Sequence, residues 1–167
     1  MKKIVFVCLL TSILLIPGNY SYSKTTAIVV FNSCQMQDKL PDPACTPGAV
    51  FPVTKEDICV KGYTKKVRYV TAKTKNLVYQ EYGISSHAKG EYEVDHFIPL
   101  ELGGSNDLKN LWPEAAEPRP GFHEKDKVEN YLHQQVCAGL MPLTEAQKQI
   151  QANWLLVYES IAKKDFD

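Results

Sequence analysis

Between Tyr92 and Pro113 the chain alternates extended and turn-forming residues in a way that few folds accommodate. Tyr92 to Leu100 reads as a strand running into a loop, and Gly103-Gly104-Ser105-Asn106 is a turn cluster. Asn110-Leu111-Trp112 is a second short extended piece, expected to stop at Pro113. Pro118, Pro120 and Gly121 form a loop. From about His123 a helix is expected to run to Gly139, a natural residue just past a helix end. Val128, Leu132 and Val136 line one face of it, with Tyr131 beside them. A second helix opens at Thr144, where Gln147 completes a Thr-x-x-Gln capping box. Its apolar face is Ala146, Ile150, Trp154, Val157 and Ile161, a stripe for core packing. The fold class this predicts is α+β.

The N-terminus carries a different signal. Lys2 and Lys3 precede Ile4 to Ile16, an uncharged run of 13 residues, which Pro17 and Gly18 end. Ser21-Tyr22-Ser23 offers small residues for a cut before Lys24. This is the pattern of a secretory signal peptide over residues 1–23, and the run is too short to span a bilayer. The expected destination is outside the cell or the periplasm of a bacterium, with no membrane anchor in the mature form. Loss of the leader removes Cys8 and leaves Cys34, Cys45, Cys59 and Cys137. Four cysteines in an exported chain suggest two disulfides, with three pairings open. No Cys-x-x-Cys pair is present to suggest a structural zinc site.

The mature chain, residues 24–167, is expected to be one domain and to work as a monomer. Residues 24–60 hold a short apolar run, Ala27 to Phe31, followed by a proline-rich, disulfide-tied arm. Residues 61–90 begin with Val67, Tyr69, Val70, Thr71, Leu77, Val78 and Tyr79, which suit strands, so this part is expected to be β-rich. Residues 91–139 carry the strand–loop–strand–helix core, and residues 140–167 the C-terminal helix. The full chain has 19 basic and 19 acidic residues, and without Lys2 and Lys3 the balance is 17 against 19, a net of −2. That excludes a protein that grips nucleic acid by bulk charge. Locally, however, Lys61, Lys65, Lys66, Arg68, Lys73 and Lys75 follow one another with no acidic residue among them. Such a strip suits either a phosphate backbone or a solvated edge blunted by lysines.

Chemistry concentrates between Asp95 and Glu129. An Asp95-His96 pair ends the first strand, and the string continues as Pro99-Leu100, Gly103-Gly104 and Asn110-Leu111. Each residue type has an ordinary structural role too: Asp95 and Asn110 in turns, His96 buried and hydrogen-bonded, His123 and Asp126 at a helix N-terminus. Taken in this order, Asp-His-x-x-Pro-Leu-x-x-Gly-Gly followed by Asn-Leu resembles the HNH, or His-Me finger, nucleases over about residues 92–139. The later part also looks like small exported bacterial proteins with an HNH-like core.

The resemblance implies a ββα-metal core that hydrolyses phosphodiester bonds of DNA, or of RNA, with little sequence preference. Asp95 resembles the first metal ligand, His96 the general base and Asn110 the asparagine that braces the loop. His123 matches the final, helix-borne metal ligand, although it follows Asn110 by more residues than is usual in that family. Asp126 and Glu129, three residues apart on the same helix, are the alternative ligands. The implied cofactor is one divalent ion, Mg2+ first and Mn2+, Ca2+ or Zn2+ after it. A neutral imidazole takes a proton from water near neutral pH, and a hard dication relieves phosphate charge. Lys61, Lys65, Lys66 and Arg68 are the expected nucleic-acid contacts. A catalytically silent HNH-like binding module, or a disulfide-stapled interaction protein, is the alternative. His87 and His133 have no partner in the motif and are expected at the surface.

Overall fold

The computed structural model describes residues 34–164. The expected leader and the Ala27–Phe31 run lie outside the described residues. The described chain runs through three short helices, α1 (Lys55–Ile58), α2 (Tyr63–Val67) and α3 (Ala72–Glu81). Strand β1 (Tyr92–His96) and strand β2 (Leu111–Ala115) follow, then helices α4 (Phe122–Cys137) and α5 (Leu143–Lys164). Single 3-10 turns at Leu100–Leu102 and Leu108–Asn110 shape the loop between the strands. This is a mixed α and β architecture.

The β-rich expectation for the segment after residue 61 is corrected: it folds as α2 and α3. Of the residues that suggested strands, Val67 ends α2, Tyr69, Val70 and Thr71 link the two helices, and Leu77, Val78 and Tyr79 lie within α3. Tyr63 and Val67 turn one face of α2 into the core, and Val78 and Tyr82 pack behind the sheet. Thr71 caps α3 by accepting a hydrogen bond from Thr74 N–H at 3.1 Å. The lysines between the apolar positions are good helix formers and point to water.

β1 and β2 form a two-stranded antiparallel sheet with Val94 opposite Pro113 and Asp95 opposite Trp112. Pro113 does not stop the strand, contrary to expectation. Ala116 N–H donates to Glu91 O and Phe97 N–H to Asn110 O, so alternation makes Val94–Pro113 a non-hydrogen-bonded pair. There the missing N–H of proline faces away from the partner strand and no ladder bond is lost.

Two clusters form the core. One joins Ile58, Tyr63, Ile98 and Leu102 to Val128, Leu132 and Val136 of α4 and to Ala146, Ile150, Trp154 and Val157 of α5. The expected apolar faces of both long helices are therefore the packed ones. The other cluster sets Val78 and Tyr82 against Val94, Phe97, Leu111 and Trp112. α5 departs from one straight helix at Asn153, whose φ of −173° and ψ of 99° are extended. Its side chain accepts from Leu155 N–H at 3.0 Å and restarts the helix as a cap does. Gln147 is not spent on capping; its amide donates to Leu102 O at 2.8 Å and ties α5 to the first 3-10 turn.

Disulfides join Cys34 to Cys45 and Cys59 to Cys137. The first closes the N-terminal arm, and the second fastens the end of α1 to the end of α4. Among the described residues, no helix is long and apolar enough to cross a membrane.

Candidate functional site

The loop between the strands is built around Asn110, which is fully buried. Its Oδ1 accepts from Ile98 N–H at 2.9 Å, and its Nδ2 donates to Ile98 O and Ser105 O, each at 2.9 Å. One amide side chain thus ties the exit of β1 to the far side of the loop. The double glycine makes this closure feasible. A Cβ on Gly104 would lie 1.7 Å from Ile98 O, and Gly103 sits at φ +78°. Gly104 also bridges to Val50, which docks the N-terminal arm on the loop.

His96 ends β1 and is 1% exposed. Its ring partner is Asn106, not Asn110: Nε2 lies 3.1 Å from Asn106 Oδ1. The orientation of the Asn106 amide is set by the backbone at and just beyond the end of α2. Its Nδ2 donates to Val67 O at 2.8 Å, and its Oδ1 accepts from Tyr69 N–H at 3.1 Å. An oxygen therefore faces the ring, so Nε2 carries the proton and the lone pair of the neutral imidazole is on Nδ1. Nδ1 is buried and has no hydrogen-bond partner. Burial lowers the pKa of His96, and the nearby Arg68 and Lys125 charges push the same way against Asn106 and Asp95. The ring is accordingly a neutral base at neutral pH.

Asp95 turns to α4, where it meets a side chain that was not among the expected site residues. Lys125 is fully buried, and its Nζ lies 2.6 Å from Asp95 Oδ2, 2.5 Å from Glu129 Oε1 and 2.9 Å from His96 O. Glu114 Oε2, from β2, stands 3.5 Å from the same ammonium. Burial alone would depress the Lys125 pKa, but the three carboxylates outweigh it and hold the amine charged. Burial would likewise raise Asp95, and Lys125 reverses this and keeps it ionised. One ammonium does not balance three carboxylates. Burial pushes Glu114 well above its ordinary value and Glu129 up to about 8.

The remaining expected residues form the outer rim. His123 is exposed and stacks on Phe122, with ring centroids 4.3 Å apart. It is not brought onto Asp95. Asp126 is exposed while Glu129 is turned inward, so the two do not act as a pair. Burial raises Asp126, as does the charge of Asp95, with Lys125, His123 and Arg68 opposing. Glu93, one strand alternation before Asp95, is raised for the same reasons, burial first. Lys61, Lys65, Lys66 and Arg68 are all exposed along α2 and its ends, and Arg68 reaches the field of His96. Lys61 and Lys66 also border a cleft of about 370 Å³ walled by Pro52, Val53, Tyr63 and Val67.

The resemblance implies a divalent ion between Asp95 and the helix, and these residues do not fit one as placed. Of the expected ligands, Asp95 and Glu129 are both spent on Lys125, while His123 and Asp126 are exposed. A second cluster, Cys59, His133 and Cys137, brings ligand-type atoms within 4.8 Å of one another. In the disulfide its sulfurs lack the thiolate charge a metal takes up. His133 is half-buried rather than at the surface, with Nε2 3.2 Å from Ile58 O and 3.3 Å from Cys137 Sγ. His87 is exposed as expected.

Three contributors escaped the sequence reading: Asn106, Glu114 and Lys125. A signal for Lys125 was present. The stripe Val136, Leu132, Val128, extended by one more turn of α4, lands on it, so a lysine occupies a core-facing position. Searches of family models, curated proteins and solved structures found no match to this chain.

Proposed function

We propose that this protein is an exported endonuclease of the His-Me finger kind that hydrolyses phosphodiester bonds of DNA with little sequence preference. The observation that carries the reading is the state of His96. Asn106 Oδ1 accepts a hydrogen bond from Nε2–H, burial keeps the ring neutral, and Nδ1 is left with an unused lone pair. That is the state a general base needs before it accepts a proton from water. The β1–loop–β2–α4 order and the bracing of the loop by Asn110 support the reading.

In this reading His96 Nδ1 takes the proton of the attacking water. The exposed Arg68 guanidinium, close to His96, relieves charge on the phosphate. Lys61, Lys65 and Lys66 hold the flanking backbone by charge rather than by reading bases, so binding weakens as salt rises. The cysteine pairs fit an oxidising destination.

The test is plasmid nicking by the mature protein near neutral pH. The wild type is expected to nick, and His96→Ala to lose about 100-fold or more while remaining folded by circular dichroism. Cleavage by His96→Ala at the wild-type rate would refute the base. A binding module on the same core is the second reading, favoured by the near-complete burial of the His96 ring. Salt-sensitive DNA binding without any nicking would select it.

A further inference from the structure

The group that most resists an ordinary explanation is Lys125. It lies on the core-facing stripe of α4, it is fully buried, and it converges with carboxylates from β1, β2 and its own helix. An ammonium has three N–H donors. Here they have three close acceptors: Asp95 Oδ2 at 2.6 Å, Glu129 Oε1 at 2.5 Å and His96 O at 2.9 Å. The amine is saturated, and Glu114 adds a fourth oxygen at 3.5 Å.

We propose that Lys125 is the resident cation of this site: its ammonium fills the place between Asp95 and Glu129, the first expected ligand of the divalent metal and one of the alternative ones, and this pair binds no metal. The inference concerns the same site as the nuclease reading and deepens it. Two physical points carry it. The oxygens around Nζ stand at hydrogen-bond distances and are drawn onto a single positive centre, so the ligand set is already in use. A dication placed there would also sit in contact with a buried ammonium, which cannot leave because its stem is packed in the core. The third contact gives the lysine a positioning role. By holding His96 O, it fixes the end of β1 from which the imidazole projects.

The experiment is a titration of the wild-type protein with Mn2+, followed by electron paramagnetic resonance, beside Glu129→Gln and Lys125→Ala. The wild type is expected to show no tight Mn2+ site that depends on Glu129. Weak binding that Glu129→Gln leaves unchanged agrees with the proposal, since it lies elsewhere. Binding tighter than about 1 mM that Glu129→Gln abolishes would overturn it. Lys125→Ala, if it folds, opens the carboxylate set and is expected to bind Mn2+ at least about tenfold tighter than wild type. A folded Lys125→Ala with no such gain would also overturn it. If that variant does not fold, the wild-type titration decides alone.

Nicking in excess EDTA separates the two readings. Wild-type cleavage that persists supports the proposal; cleavage lost to EDTA and restored by Mg2+ in the wild type but not in Glu129→Gln overturns it while leaving the nuclease reading intact, and restoration that Glu129→Gln leaves unchanged places the ion elsewhere and agrees with it. If the protein nicks under neither condition, the nuclease reading fails and the Mn2+ titration still decides the status of Lys125.

Discussion

Asn106 Oδ1 lies 3.1 Å from His96 Nε2 while the Asn106 amide is pinned by Val67 and Tyr69, so one loop residue sets which ring nitrogen is basic. Replacing the amide by a carboxylate keeps the shape, adds a negative charge and removes the donor to Val67 O. Asn106→Asp should favour the protonated imidazole and raise its pKa by about one unit or more. The acid side of the cleavage profile should then move up by the same amount, measured as rate against pH. In the wild type that limb should lie below the ordinary imidazole value of about 6.5, because burial lowers His96. An acid limb unmoved in Asn106→Asp would separate Asn106 from the base.

Glu129 gives the fold a pH dependence of known sign. Burial holds its carboxyl protonated up to about 8, against about 4.3 for an unfolded chain. Between these values the folded state binds more protons than the unfolded one, so stability declines as pH rises through this range. The melting temperature should fall by several degrees between about pH 5 and about 8. Glu129→Gln should flatten this slope, because no proton is then lost at that position. A slope unchanged in the variant would show that Glu129 is not its source.

Gly104 has a steric constraint that no other residue type relieves. With Ile98 O only 1.7 Å from a would-be Cβ, Gly104→Ala must displace the loop that Asn110 braces. The cost should be about 3 kcal/mol or more, read from denaturant midpoints. Loss of nicking should accompany it, since the displaced loop also carries Asn106.

The Cys59–Cys137 bridge spans 78 residues of sequence, so its removal frees a long segment of the unfolded chain. Cys59→Ser with Cys137→Ser should destabilise the protein by about 4 kcal/mol on the chain-entropy view. Urea unfolding of the double variant measures this. The Cys34–Cys45 bridge closes a shorter loop of 11 residues and should matter less.

The sequence exposed the elements whose pattern is local. The stripes of α4 and α5, the turn at Gly103-Gly104 and the two extended pieces were all legible because each is written at a fixed spacing. The helices at 63–67 and 72–81 were not, because Tyr, Val and Thr suited strands in composition. Tertiary burial of Tyr63, Val78 and Tyr82 decided the matter. Pro113 misled for a related reason, since its harmlessness depends on which edge of the ladder it faces. The cysteine pairing was open because it requires distances between α1 and α4. In the site, Asp95, His96 and Asn110 were found as a motif, yet the partners they use are remote. Lys125 comes from a helix 30 residues on, and the amide of Asn106 is set by residues 37 and 39 positions earlier. Charge balance inside a buried group is invisible until those distances are known.

The clamp on Asn106 has a consequence for how the motif is inherited. The residues that orient the imidazole are anchored on Val67 and Tyr69, outside the strand–loop–strand–helix segment that carries the recognisable string. A graft of residues 92–137 into another scaffold would carry the signature but leave the tautomer of its histidine undefined. The orientation of the histidine is therefore divided between two stretches of chain, and neither is portable without the other.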